Sequence, residues 1–227
     1  MKRSLFFLVP TLALALAALV VAPLPVANAQ WYPLRFDASA RVQGDGSTPL
    51  ANCAYLGALA IYDIVPTNAN TASVHAAVTL GAAGQTVTTA ISNPDVPRTL
   101  SITGNAAGIA GNVVIVGRDI AGASCTDTIA LNGTATVAGA KAFRTVTSIA
   151  LPAKTNGSGD AVSVGVANKF AIPNVLADST RFLISTLNGA NDTGTFTATG
   201  SIQTSLYTPN GTPNGTYHLK IVYLLGR

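Results

Sequence analysis

Glutamate is absent from this sequence: all nine acidic side chains among its 227 residues are aspartates. Lysine occurs five times and glutamine four times. Straight-chain polar residues coat the solvated faces of helices, so their scarcity argues against a helical protein, alanine being the one strong helix former in supply. Charge of either sign is thin, at 10% of residues, where globular chains carry about 25%. No basic run follows the first three residues, and aromatic residues make up 6%. Nucleic-acid binding calls for a basic stripe or interleaved stacking rings, so no nucleic-acid partner is expected.

Sulfur is equally scarce. Cys53 and Cys125 are the two cysteines, with no C-x-x-C pair and no metal-ligand spacing. Two readings remain open for them. One is a single disulfide closing a long loop in an oxidising compartment; the other is a pair of small apolar side chains in the interior.

Catalytic signatures are missing too. The glycines at 104, 108 and 111 are spaced G-x-x-x-G-x-x-G rather than G-x-G-x-x-G, and the β-branched run "NVVIVG" follows them instead of a helix. A dinucleotide fingerprint needs both the spacing and the helix. No Gly-Lys-Ser/Thr and no G-x-S-x-G occurs, and the two histidines, His75 and His218, sit in strand-like segments. The sequence therefore predicts no enzyme, no cofactor and no metal. Asp119 and Asp127, with "NGANDTG", make a weak oxygen set for Ca²⁺, and solvated strand ends with Asx turns are the simpler account. Asn132, Asn156, Asn191, Asn210 and Asn214 each open an N-x-S/T triplet and read first as turns.

What fills the composition is threonine, valine, isoleucine, serine, asparagine and 21 glycines, the vocabulary of strands and tight turns. Asn-Gly, which supplies the positive φ angles of hairpin turns, occurs five times. After "SVHAAVTL" and "TVTTAI", the pattern predicts strands over Thr99–Thr103, Asn112–Ile120, Cys125–Leu131, Phe143–Leu151, Ala161–Val166, Arg181–Leu187, Gly194–Ser205 and Tyr217–Leu225. Many short strands with regular turns predict an all-β chain, an antiparallel β-sandwich of jelly-roll or immunoglobulin-like type. Its expected core includes Val114, Val116, Ile129, Leu131, Val146, Ile149, Val162, Val164, Leu183, Leu219 and Ile221.

The N-terminus is of another kind. Lys2 and Arg3, an apolar stretch from Leu5 to Val21, and the small-x-small site Ala27-Asn28-Ala29 are the three parts of a secretory leader. Residues 1–29 are read as that leader, cut after Ala29, or as a membrane anchor if uncut. Removing Lys2 and Arg3 leaves 11 basic residues against nine acids. Residues 30–72 are read as an arm with a strand or two, either docking on a neighbour with Trp31, Tyr32 and Phe36 as its assembly contacts or a disordered terminus, and residues 73–227 as the sandwich.

The segments "NPDVPRTLSITGN", "DTIALNGT", "KAFRTVTSIALP" and "GDAVSVGVANKFAIP", together with "YTPNGTPNGTY" downstream, carry a likeness. The stretch from Val74 to Ala171 resembles the small structural virion proteins of tailed bacteriophages described as head-fibre or decoration-like. The resemblance implies a non-enzymatic subunit on a virion surface, whose partners are copies of itself and a capsid or surface lattice. The secretory leader departs from that pattern. It keeps a second expectation alive, a secreted or cell-surface carbohydrate-binding β-sandwich with Trp31, Tyr32, Tyr207 and Tyr217 as stacking rings.

Overall fold

A computed structural model describes residues 59–225, and among them the regular structure is almost wholly antiparallel strand. The expected leader, the assembly contacts Trp31, Tyr32 and Phe36, and Cys53 lie outside the described residues. Residues 59–72, read from the sequence as the end of the arm, carry β1 (Leu59–Ile64) and open β2 (Asn70–Thr79).

Eight strands pair as a nested hairpin. β2 pairs with β9 (Ala161–Ala171), β3 (Gln85–Val87) with β8 (Thr145–Leu151), β4 (Arg98–Gly104) with β7 (Val137–Phe143), and β5 (Asn112–Arg118) with β6 (Ser124–Ala130). Rolling this long hairpin brings β4 against β9 and β5 against β8. Two sheets result, in the orders β2-β9-β4-β7 and β3-β8-β5-β6. That is the interlocked double Greek key of a jelly roll, which decides between the two sandwich types that the sequence left open.

The sheets enclose a core because inward positions alternate along each strand. Val113 and Ile115 of β5, Cys125 and Ile129 of β6, Val146 and Ile149 of β8, Leu100 and Ile102 of β4, and Val162 and Val164 of β9 meet in one buried cluster. Val114 and Val116 were expected in this core and face outward instead, half-buried. Four consecutive β-branched residues hide the phase of the alternation. Arg118, exposed two positions beyond Val116, marks that face as the solvated one.

The jelly roll is closed at one corner by a side chain. Between Thr99 and Ser101 the register of β4 on β7 slips from Ala142 to Ala138, so β7 bulges. The bulge frees the amides of Ala140 and Lys141, and Asp127 Oδ2 on β6 accepts both, at 2.8 and 3.1 Å. Lys141 Nζ returns to the Thr126 carbonyl at 2.7 Å. A carboxylate thus replaces a backbone ladder between the two sheets.

Beyond β9 the chain builds a second, smaller unit of sheet. β10 (Phe182–Leu187), β11 (Ala190–Asn191), β12 (Thr195–Thr197), β13 (Leu206–Thr208) and β14 (Leu219–Leu224) follow in order. One sheet runs β1-β14-β10-β11, while β12 and β13 extend the jelly-roll sheet from the end of β9. Between them lies another cluster, in which Phe170 and Ile172 meet Phe196, Tyr207, Leu219, Ile221 and Tyr223. Leu183, expected in a core, is 49% exposed. A register shift between Phe182 and Ile184 turns it outward, and no apolar count reports a bulge.

Candidate functional site

The glycine-spaced loop is occupied by its own protein. Gly104 ends β4, and Gly108 and Gly111 lie in the β4–β5 connection, which packs on the loops before β7 and β9. A Cβ at Gly104 would stand 2.5 Å from the Gly133 carbonyl, and one at Gly108 would stand 2.5 Å from Asn156 Oδ1. The Ala110 amide donates to Thr155 Oγ1 at 3.0 Å, and the Gly133 amide donates to the Ile109 carbonyl at 3.0 Å. These glycines answer a need for close loop packing, and the Asn105, Ile109 and Ala110 amides of the loop are taken by protein oxygens.

Six of the seven aspartates among the described residues are engaged in the same way by backbone amides, the exception being Asp63, which faces His218 and Lys220. Asp119 Oδ1 accepts from the Ala121 and Ala123 amides, both at 2.9 Å, and its Oδ2 accepts from Gln203 Nε2 at 2.9 Å. Asp160 Oδ2 accepts from the Thr155 and Asn156 amides, which hold its carboxyl below the usual range, the Asn156 bond contributing most. Asp178 caps a short 3-10 helix, Ser179–Arg181, through the Thr180 amide and hydroxyl. Asp119 and Asp127, the weak Ca²⁺ set, are thus loop and corner clasps. Among the described residues no group of His, Cys, Asp or Glu is assembled for a metal ion.

Two buried polar clusters are the chemically densest places. In the first, Arg98 is wholly buried. Its Nε donates to the Ala167 carbonyl (2.9 Å), its Nη1 to the Thr67 carbonyl (2.9 Å) and Asp95 Oδ1 (3.0 Å), and its Nη2 to Asn168 Oδ1 (2.6 Å). The guanidinium also lies over the Phe170 ring, 4.8 Å from its centroid. Residues 167–169 are the segment where β9 bulges between its pairings with Leu100 and Arg98, so the side chain fills a gap that the bulge opens. Burial works to raise the Asp95 pKa; the Thr67 amide and the Arg98 charge outweigh it and leave the carboxyl below its ordinary value.

In the second cluster Ser185 Oγ lies 2.5 Å from the Tyr207 hydroxyl, which donates to Asp192 Oδ2. Asp192 Oδ1 accepts from the Asn210 and Gly211 amides at 3.0 and 2.9 Å. Burial, then the Asp192 carboxylate, push the Tyr207 phenol well above its usual pKa. A serine, a phenol and a carboxylate in line resemble a nucleophile relay. All three are buried, however, and both histidines lie elsewhere, so the group functions as a clasp holding the 210–211 turn to β10. His75 Nδ1 faces the Ala76 carbonyl at 2.7 Å, and His218 Nδ1 donates to Asp63 Oδ1 at 2.9 Å. Tyr207, one of the expected stacking rings, is enclosed in a stack with Phe182 at a centroid distance of 5.2 Å. Tyr217, 37% exposed, is the described member of that set that reaches solvent.

Cys125 is buried and has no disulfide partner among the described residues, its Sγ 3.8 Å from the Ala142 carbonyl. Burial pushes the thiol up to about 11, which removes the thiolate needed for reactivity at neutral pH. Its expected disulfide partner, Cys53, is outside the described residues.

One surface does stand out by composition, and the sequence did not single it out. On the outer face of the β1-β14-β10 sheet, Ile61 is 66% exposed, Leu59 60%, Leu183 49% and Ile184 45%, with Val222 and Leu224 half-buried between them. Their inward neighbours Ala60, Tyr62 and Ile64 pack on the second core. Clustered exposed aliphatic side chains mark an interaction surface more often than a solvated one. Among the described residues no helix is long and apolar enough to cross a membrane. Comparison with protein-family models, with curated proteins and with solved structures finds no match for this chain.

Proposed function

We propose that the chain is a non-enzymatic structural subunit of a surface assembly, most simply a decoration-like protein of a tailed-phage virion. The observation that carries the reading is an overlap. The main stretch of the phage likeness, roughly Val74 to Ala171, falls on the jelly roll, which runs from the start of β2 at Asn70 to the end of β9 at Ala171. Jelly rolls build viral capsids, and they also build lectins, so the fold alone does not assign the role. The engagement of Asp95, Asp119, Asp127, Asp160, Asp178 and Asp192 with backbone amides of turns and bulges supports a subunit selected for rigidity. The test is immunogold labelling with antibody against the purified chain. Periodic label on tailed particles released by the source culture is the expected result. Label confined to cell envelopes, with binding to polysaccharide that Tyr217→Ala abolishes, would replace this reading with the secreted carbohydrate-binding one.

A further inference from the structure

We infer that the outer face of the β1-β14-β10 sheet packs against the same face of a second copy, about a two-fold axis running along the strands between β1 and β14. The inference rests on the structural-subunit reading and names a surface that the reading leaves unspecified. The face is apolar at one end and charged at the other. Leu59 stands opposite Leu224 and Ile61 opposite Val222, and Ile184 flanks Val222 on its other side. One step along, Asp63 stands opposite Lys220, with Nζ 3.8 Å from Oδ2.

A two-fold interface reads one patch against itself. About the stated axis, β1 of each copy lies over β14 of the other. Ile61 then meets Val222 of the second copy and Leu59 meets its Leu224, each contact made twice. The same rotation sets Asp63 over Lys220 of the second copy, so the charged end is attractive. An axis along β14 itself would set Lys220 on Lys220, and like charges across an interface are strongly unfavourable.

The chemistry of the face favours this occupant over others. A sugar surface would want projecting rings, yet Tyr62, Tyr223 and Phe182 of these strands all pack into the second core. An anionic lipid surface would want a basic rim, whereas Lys220 here lies beside the Asp63 carboxylate. What remains is an aliphatic patch with a balanced charged end, the makeup of a self-complementary contact.

The test is sedimentation velocity on the full-length chain, in the form its host releases, over a dilution series. Wild type should form dimers or larger multiples that dissociate on dilution. Ile61→Lys puts a charge in the middle of the face and should weaken association about 30-fold or more. Because Ile61 points to solvent, its circular dichroism and thermal midpoint should match wild type. Asp63→Lys should also weaken association, and adding Lys220→Asp should recover most of it; no recovery overturns the proposed axis. Undiminished association of Ile61→Lys overturns this interface while the structural-subunit reading stands, since the copies then meet elsewhere. A wild type that stays monomeric at every soluble concentration also overturns it; a lowered midpoint for Ile61→Lys would then assign the face to the chain's own residues before Leu59. Dimers formed through this face, with no label on particles, would overturn the structural-subunit reading alone.

Discussion

Arg98 shows how a chain with few charges uses one of them. Its guanidinium ties together the segment between β1 and β2 at Thr67, the turn before β4 at Asp95 and the bulge of β9 at Ala167 and Asn168. Burial disfavours the charged form and lowers the Arg98 pKa, opposed by Asp95; a guanidinium nonetheless stays protonated in proteins. Asp95 is exposed and keeps its Thr67 bonds, so removing the guanidinium strips a donor from the Ala167 and Thr67 carbonyls and Asn168 Oδ1, an effect of about 2–4 kcal/mol together. Arg98→Met, which keeps the bulk, should therefore destabilise the protein by that amount in urea denaturation. Arg98→Lys should recover less than half, because one ammonium cannot serve acceptors spread around a planar fork. Recovery close to wild type with lysine would show that the charge alone matters and that the geometry does not.

At the scale of elements, the informative case is the β6–β7 corner, where an aspartate stands in for a ladder. Asp127→Ala would leave the Ala140 and Lys141 amides without their acceptor, and each buried unsatisfied donor costs about 1–3 kcal/mol. The variant should lose about 2–4 kcal/mol, and those two amides should lose hydrogen-exchange protection before the rest of β7 does. Asp127→Asn keeps an oxygen and should lose less. Protection at 140 and 141 equal to wild type in the alanine variant would mean that backbone pairing already closes the corner. This corner also marks the limit of what the sequence made legible. The strands β4, β5, β6, β8 and β9 stood out through their turns and alternation, and Asp127 shares the face of Ile129 and Leu131. Its role depends on a bulge in β7, a strand that the pattern did not separate from β8. The interaction face was illegible for a related reason. In β1 the outward Leu59 and Ile61 are as apolar as the inward Ala60, Tyr62 and Ile64, so no period emerges. The lack of alternation in an edge strand was itself the trace of two apolar faces.

For the whole molecule, the two cores are joined through one strand. β9 contributes Val162, Val164 and Val166 to the jelly roll and Phe170 to the second cluster, so the two should unfold as one cooperative unit. Their ionisable contents differ, which makes the coupling testable by pH. The tyrosines of the second core all hold raised pKa values: Tyr62 is pushed up to about 12 by burial and then by Tyr223, and Tyr207 and Tyr223 are also raised, mainly by burial. A phenol whose folded pKa exceeds its unfolded value of 10.0 favours the folded state fully below that pH. As pH climbs past it the unfolded chain releases protons that the folded chain retains, so stability falls. The thermal midpoint should thus begin to drop above about pH 10. Far-UV circular dichroism of the jelly-roll strands should be lost in the same transition as the tyrosinate absorbance of Tyr62, Tyr207 and Tyr223 rises. Conversely, hydrogen exchange that opens β10 and β14 at high pH while β4, β5 and β8 stay protected would show two independent units, with β9 failing to transmit the loss of one core to the other.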